Sequence, residues 1–340
     1  MKKFLQLHFL TAYGPSNLNR DDLGRPKTVM MGGKQRLRVS SQCLKRAWRT
    51  SEIFESALKG HIGTRTRAMA AEFHQQLVKG GVKEKLAKDT AEAVAKAFGK
   101  LDKEFHIAQI AHVAPEEQAA LDALAAKVIT TGEAPSEADF QLLNAGTKAA
   151  DIALFGRMFA DSPASNGEAA CQVAHAISVS AVQLEPDFFT AVDDLKERAQ
   201  ETGSGHMGET EFGAAVYYNY VCIDRELLKK NLQGDEALTK ATLKALTEAA
   251  LTVSPSGKQN SFASRAKAHF ALVERGDGQP RSLSLAFLNP VKPGQKSAHD
   301  TLVEQQQRFI QGYGEQLEDY RLCLESGQGN LAGLLAFVQE

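Results

Sequence analysis

The stretch Gly32-Gly33-Lys34-Gln35-Arg36-Leu37-Arg38-Val39-Ser40-Ser41-Gln42-Cys43-Leu44-Lys45-Arg46 joins a glycine pair, a series of cations and a helix start, a combination suited to holding phosphate. Glycine lets backbone approach a ligand closely. A helix starting at Ser40-Ser41 offers free N–H groups and the positive end of its dipole, and Lys45, Arg46 and Arg49 extend that charge along the helix. Between Leu23 and Ser51 stand eight basic residues (Arg25, Lys27, Lys34, Arg36, Arg38, Lys45, Arg46, Arg49) and no acidic one. The chain as a whole is balanced, with 40 Lys+Arg against 41 Asp+Glu, so the basic run is a local surface for a polyanion, nucleic acid first. The competing explanation is a solvated basic helix behind a loop.

A second segment pairs aromatics with a polar excursion. Phe188-Phe189-Thr190 precedes Gly203-Ser204-Gly205-His206-Met207-Gly208, and strand-like sequence returns at Phe212, as in a long hairpin. Adjacent residues of a strand face opposite ways, so both phenylalanines are buried only if both faces are covered; otherwise one is free to stack on a base. Asp193-Asp194, with Asp187 and Glu185 nearby, are paired carboxylates of the kind that can hold a divalent metal, but turn-capping acids explain them better. Ser256-Gly257-Lys258 ends like a phosphate-binding loop, but Thr252 stands where the first glycine is required and Gln259 replaces the hydroxyl residue. Nucleotide hydrolysis by that route is excluded. Ser256 to Arg265 is nonetheless basic and acid-free, and suits a phosphate contact. Lone His8, His175 and His269 are read as structural, and Cys43, Cys171, Cys222 and Cys323 lack zinc-site spacing and fit a reducing cytoplasm. No metal, cofactor or catalytic residue is expected.

The elements that position these groups read as follows. Lys3 to Thr11 alternates as a strand, with Leu5, Leu7 and Phe9 on one face and Gln6 and His8 on the other. Asn17 to Gly33 is loop-like, and a helix runs from Ser40-Ser41 to about Phe54, with Gln42, Lys45, Arg46 and Arg49 opposite Leu44, Ala47 and Trp48. Residues 55–145 are rich in Ala, Lys, Glu and Gln and form a helical insertion broken near Gly80-Gly81, Pro115 and Gly132–Pro135. Ala150 to Phe159 reads as a strand, and Val173 to Leu184 as a strand or short helix. Phe212 to Asp224 reads as a strand and Asp235 to Val253 as a helix. Ala268–Val273 and Ser282–Leu288 read as strands around a Gly276-Asp277-Gly278 turn, and Ala298–Leu324 as a closing helix interrupted near Gly312–Gly314. The chain of 340 residues has 43% hydrophobic and 24% charged residues, as in a globular protein of about two domains. No apolar run spans a membrane and no signal peptide is evident.

Several collinear blocks resemble the CasC family, the repeated backbone subunit of the type I-E CRISPR surveillance complex Cascade. They are Ser16-Asn17-Leu18-Asn19-Arg20-Asp21-Asp22, the Gly32–Ala47 run, Asp151-Ile152-Ala153-Leu154-x-Gly156-Arg157-Met158, Ala174-His175-Ala176-Ile177, Phe189-Thr190-Ala191-Val192-Asp193-Asp194 and His206-x-Gly208-x-x-Glu211-Phe212, with a weaker match at Gly257-Lys258-Gln259. The resemblance implies an α+β fold: an RRM-like (ferredoxin-like) palm over 1–58 and 146–340, helical fingers over 59–145 and a β-hairpin thumb over 186–214. It implies copies side by side on one CRISPR RNA, each holding the RNA backbone and leaving bases to pair with target DNA, in the cytoplasm with CasA, CasB, CasD and CasE. Arg20, Lys34, Arg36, Arg38, Ser40, Gln42, Lys45, Arg46 and Arg49 would line the guide groove, and Phe188, Phe189, Thr190, His206 and Met207 would form the base-displacing thumb. The family's apolar wedge after the Gly-Arg-Met block has no obvious equivalent unless Phe159 replaces it. A subunit that accepts any guide must grip phosphate and ribose rather than base edges, which fits lysines and arginines at a helix start. Two rivals stand beside this expectation: an RNA-guided ribonuclease using Asp193 or Asp194, and a generic single-strand RNA binder.

Overall fold

The computed structural model describes residues 2–102, 105–141, 147–158, 166–191, 206–292 and 296–340. They divide into a sheet unit (Lys2–Ser51, Val173–Cys222, Leu246–Glu340) and a helical unit (Glu52–Gln172, Ile223–Ala245). The helical unit is thus larger than the insertion over about 55–145 expected from composition. The fold is α+β, as expected.

In chain order the elements are β1 (Phe4–Ser16), β2 (Thr28–Met31), β3 (Lys34–Val39), α1 (Ser41–Arg49), α2 (Glu52–Ala57), β4 (Thr64–Thr66), α3 (Met69–Lys79), α4 (Glu84–Phe98), β5 (Ala111–Val113), α5 (Pro115–Thr131), α6 (Glu137–Gln141) and α7 (Ala150–Phe155). There follow β6 (Cys171–Val173), β7 (Ala176–Ser178), β8 (Glu185–Ala191), β9 (His206–Asp224), α8 (Arg225–Asn231), α9 (Glu236–Thr252), α10 (Gln259–Phe262), β10 (Ala268–Gly276), α11 (Ala298–Tyr313), β11 (Glu318–Cys323) and α12 (Leu331–Gln339).

The sheet unit is organised by strands in the order β11-β10-β1-β9-β7-β3-β2, with β8 paired to the N-terminal part of β9. Its core gathers Leu10, Tyr218, Phe270, Leu272, Leu283, Phe287 and Leu302. Both faces of β1 are covered: Leu5 and Leu7 are buried on one, and Gln6 and His8 on the other. Those polar groups are buried because they are paired. Gln6 Oε1 accepts from Tyr220 Oη at 2.8 Å and from Arg281 N at 2.9 Å. His8 Nε2 lies 3.0 Å from Glu274 and its Nδ1 lies 2.9 Å from Tyr218 Oη. A carboxylate only accepts, so Nε2 carries the proton and Nδ1 receives the tyrosine O–H.

The helical unit buries Phe73 and Leu77 of α3, Val94 and Phe98 of α4, and Leu121, Leu124 and Val128 of α5. Its breaks fall where expected: α3 ends at Gly80, Pro115 opens α5, and left-handed Gly132 closes it. The β4–β5 ribbon was not expected.

Five expectations are corrected. The segment Ala150–Phe155 is helical; a short apolar run lacks a period that separates strand from helix. The first basic helix stops at Arg49 and α2 starts anew. Thr28–Met31 is a strand rather than loop, closed onto β3 by the Gly32-Gly33 turn. Ser282–Leu288 is not a strand: Ser284–Phe287 forms a 3₁₀ turn, because β10 already has β1 and β11 on its two sides. The closing helix ends at Tyr313, where left-handed Gly314 caps it, and the sequence continues as β11.

Candidate nucleic-acid interface

The first cationic element is the β2–β3 hairpin. Gly32 and Gly33 both have positive φ (58° and 69°), the backbone of a two-residue hairpin turn matched to strand twist. A Cβ on Gly32 would lie 1.8 Å from the Leu288 carbonyl oxygen, so this glycine is demanded by close approach as well as by φ. Lys34 is exposed beside the turn.

Along β3 the side chains separate. Arg36 is completely buried: its guanidinium donates to the carbonyls of Ser178 at 2.8 Å and Phe287 at 2.9 Å. It is therefore corrected from guide-groove residue to internal tie between β3, β7 and the 3₁₀ turn. Arg38 remains half-buried, and its Nη1 lies 2.9 Å from His175 Nδ1. Arginine cannot accept, so His175 Nδ1 is the acceptor and its proton sits on Nε2. Partial burial, then Arg38 and Lys27, hold the His175 pKa below its ordinary value, consistent with a neutral ring.

Helix α1 follows directly. Ser40 is its N-cap, accepting from Cys43 N, and its own N–H donates to Asn19 Oδ1 at 2.9 Å. The hydroxyl of Ser40 is thus engaged as a cap, and its side chain is buried. Leu44 and Trp48 are buried on one side of α1. Gln42, Lys45, Arg46 and Arg49 lie at i, i+3, i+4 and i+7 on another; Gln42 and Arg46 are exposed, Lys45 and Arg49 half-exposed. The first turn has no acid and the last turn holds Arg46 and Arg49. Cys43 Sγ faces the Leu18 carbonyl at 4.0 Å, and burial pushes its thiol pKa up.

The Asn-Leu-Asn-Arg-Asp block is the scaffold of this surface. Asn17 Nδ2 donates to the carbonyls of Gly24 and Glu211, each at 3.0 Å. Asp21 Oδ1 accepts from Leu23 N and Arg25 N at 3.0 and 2.8 Å. Lys27 N donates to the Asn19 carbonyl at 2.9 Å. These ties hold Arg20 and Arg25 outward. Both residues line a polar cleft of about 640 Å³ together with Lys258 and with Glu209, Thr210 and Glu211 of β9. Arg25 is 3.8 Å from Glu211, and among the described residues no carboxylate pairs with Arg20 or Lys258.

The hairpin formed by β8 and β9 carries the second predicted group. Its register sets Phe188 against Glu209, Phe189 against Gly208 and Thr190 against Met207. Phe188 and Met207 therefore share one face and Phe189 takes the other. All three are exposed, at 65%, 63% and 42% respectively, so the alternative that both phenylalanines belong to the core is discarded. A Cβ on Gly208 would lie 2.4 Å from Phe189 Cζ: the ring lies across the glycine. Thr190 is exposed, and His206 opens β9. Asp193, Asp194, Phe159 and the Gly203–Gly205 tip lie outside the described residues. Among the described residues no three His, Cys, Asp or Glu side chains are grouped to hold a metal ion.

The Asp151–Met158 block serves the interior of the helical unit. Asp151, fully buried, accepts from Gly63 N at 2.9 Å and lies 2.7 Å from His112 Nε2. Arg157 pairs with buried Glu117 at 2.7 Å and donates to the His112 carbonyl. These side chains satisfy one another, which is the condition for burying charge. Arg25, His175 and Lys258 join this surface without having been among the expected groove residues; Arg25 and Lys258 were visible only as members of acid-free basic runs, and His175 was read as structural.

No curated protein matches the chain. A chain of a structure described as a CRISPR RNA-guided surveillance complex, pre-nicking, is 29% identical, with a TM-score of 0.86 over 98% of this chain and 99% of that one. A chain of another CRISPR RNA-guided surveillance complex is 24% identical with a TM-score of 0.63, again over 98% and 99%, a likeness of fold. The profile of the CT1975-like protein family matches residues 5–335. With nearly its whole length matched, the chain belongs to the CT1975-like protein family.

Proposed function

We propose that this protein is a CRISPR RNA-binding backbone subunit of a Cascade-type surveillance complex, of type I-E. The observation that carries the proposal is the cationic side of α1, with Gln42, Lys45, Arg46 and Arg49 exposed or half-exposed, beside exposed Arg20 and Arg25 of the preceding loop, on a chain whose net charge is only −1. Support comes from the near-complete structural similarity to a chain of a CRISPR RNA-guided surveillance complex. In this reading the sheet unit is an RRM-like palm, the helical unit supplies the fingers and the β8–β9 hairpin is the thumb. Arg20, Lys34, Arg38, Gln42, Lys45, Arg46 and Arg49 hold phosphates and riboses, while the exposed faces of Phe188, Phe189 and Met207 meet bases. An aromatic accepts any base on its π-face, as a guide of arbitrary sequence requires. Several copies share one guide, pair it with target DNA and meet CasA, CasB, CasD and CasE in the cytoplasm. The chain binds and does not cut.

The test is sequencing of RNA that copurifies with the tagged protein from cells carrying its locus. Discrete guide-length RNAs with repeat-derived ends are expected; heterogeneous RNA or none contradicts the reading. The triple variant Lys45→Glu, Arg46→Glu, Arg49→Glu is expected to fold and to lose the guide. Retained RNA in that variant would remove α1 from the groove. Cleavage of complementary RNA with Mg²⁺, abolished by Asp193→Ala or Asp194→Ala, would favour the ribonuclease alternative.

A further inference from the structure

The loop between α9 and β10 has more backbone constraint than a connection needs. Lys258 and Ala263, at its two shoulders, hold left-handed φ values of 51° and 47°, which residues with a Cβ disfavour. The loop is nonetheless fixed. Gln259 Nε2 donates to the carbonyls of Pro255 at 2.8 Å and Ser264 at 2.9 Å. Ser254 Oγ closes its base, accepting from Ala266 N at 2.8 Å. Gly257 lies flat on the 17–18 backbone, where a Cβ would stand 2.3 Å from the Leu18 carbonyl oxygen. The exposed side chain delivered by this arrangement is Lys258, in the same cleft as Arg20 and Arg25. From Ser254 to Val273 the sequence contains Lys258, Arg265 and Lys267 and no acid.

We infer that the 255–265 loop is a second jaw of the RNA groove, and that Lys258 holds a backbone phosphate of the guide between itself and Arg20. This rests on the RNA-binding reading above and adds a ligand from the far end of the chain. Arg25 is engaged by Glu211, so Arg20 and Lys258 are the cations of the cleft left for an anion, and exposed Glu209 at its edge disfavours any anion that does not reach both. Left-handed backbone strain held in place by surrounding hydrogen bonds is characteristic of ligand clamps. Gly257 and Gln259 act as positioning residues.

Lys258→Asn tests this, because asparagine tolerates the left-handed conformation while the ammonium group and its reach are lost. Binding of a short single-stranded guide RNA would be measured against salt, beside thermal unfolding. Losing one phosphate contact per copy is expected to reduce the log–log salt slope by about 0.7 and weaken binding roughly five-fold at ~0.1 M salt. The thermal midpoint is expected to stay level or rise. Gly257→Ala keeps the lysine but displaces the loop, and is expected to show the same loss. Wild-type affinity and slope in Lys258→Asn, with the wild-type protein binding RNA, would overturn the inference alone. A lowered thermal midpoint accounting for the loss would assign Lys258 a structural role and overturn it too. A wild-type protein that binds no RNA would overturn both this inference and the function it rests on.

Discussion

Arg36 and Arg38 stand two positions apart on β3 and serve different ends. Arg36 is sealed inside and neutralises carbonyl dipoles; Arg38 reaches the surface beside His175. Arg36→Ala leaves the Ser178 and Phe287 carbonyls unpaired and is expected to cost about 3 kcal/mol of stability, while guide affinity per folded molecule keeps its salt slope. Arg38→Ala is expected to leave the thermal midpoint nearly unchanged and to reduce that slope by about 0.7. Denaturant melts and salt titrations of both variants separate the two roles; equal behaviour would contradict the assignment. The acid-free basic run made a cationic surface legible in the sequence without separating Arg36 from its neighbours. What covers Arg36 is a turn some 250 residues later in the chain, and no local pattern announces it.

At the scale of elements, β1, β10 and the loop after it share one ionic network. His8 contacts Glu274, and Glu274 accepts from Arg281 and, at 2.8 Å, from Gln306. Burial above all holds the His8 pKa below its ordinary 6.5. Glu274, despite burial, is held far below its ordinary 4.5 by His8 and Arg281. Below about pH 6.5 the unfolded chain protonates His8 while the folded one resists, so the unfolded state binds more protons and stability falls. Glu274 adds a second loss below about pH 4.5 for the same reason of sign. Thermal midpoints are expected to be level above about pH 7 and to fall in two stages on acidification; a level midpoint between about pH 7 and about pH 5 would contradict the His8 assignment. Elements with a long period or several β-branched residues, such as β1, β9 and α9, were legible in the sequence. Ala150–Phe155 and Ser282–Leu288 were not, because short apolar runs take the structure that their distant partners leave open.

The whole molecule is nearly neutral, and the surface proposed to bind RNA draws on sequence positions 17–49, 185–191, 206–211 and 255–265 within one unit. Copies can pack along a polyanion without strong mutual repulsion. On guides of increasing length, native mass spectrometry is expected to show copy number rising in unit steps; a fixed single copy would favour the generic binder. The division into a sheet-bearing part and a helical addition was legible from composition, whereas the return of the chain to the helical unit for 223–245 was not. One small detail of the β8–β9 hairpin has a consequence for descent. The Phe189 ring and the missing side chain of Gly208 occupy one volume, so the two positions behave as a single heritable character. A lineage that gains a side chain at 208 must shrink or turn the residue at 189, and the exposed aromatic surface of the hairpin changes with it.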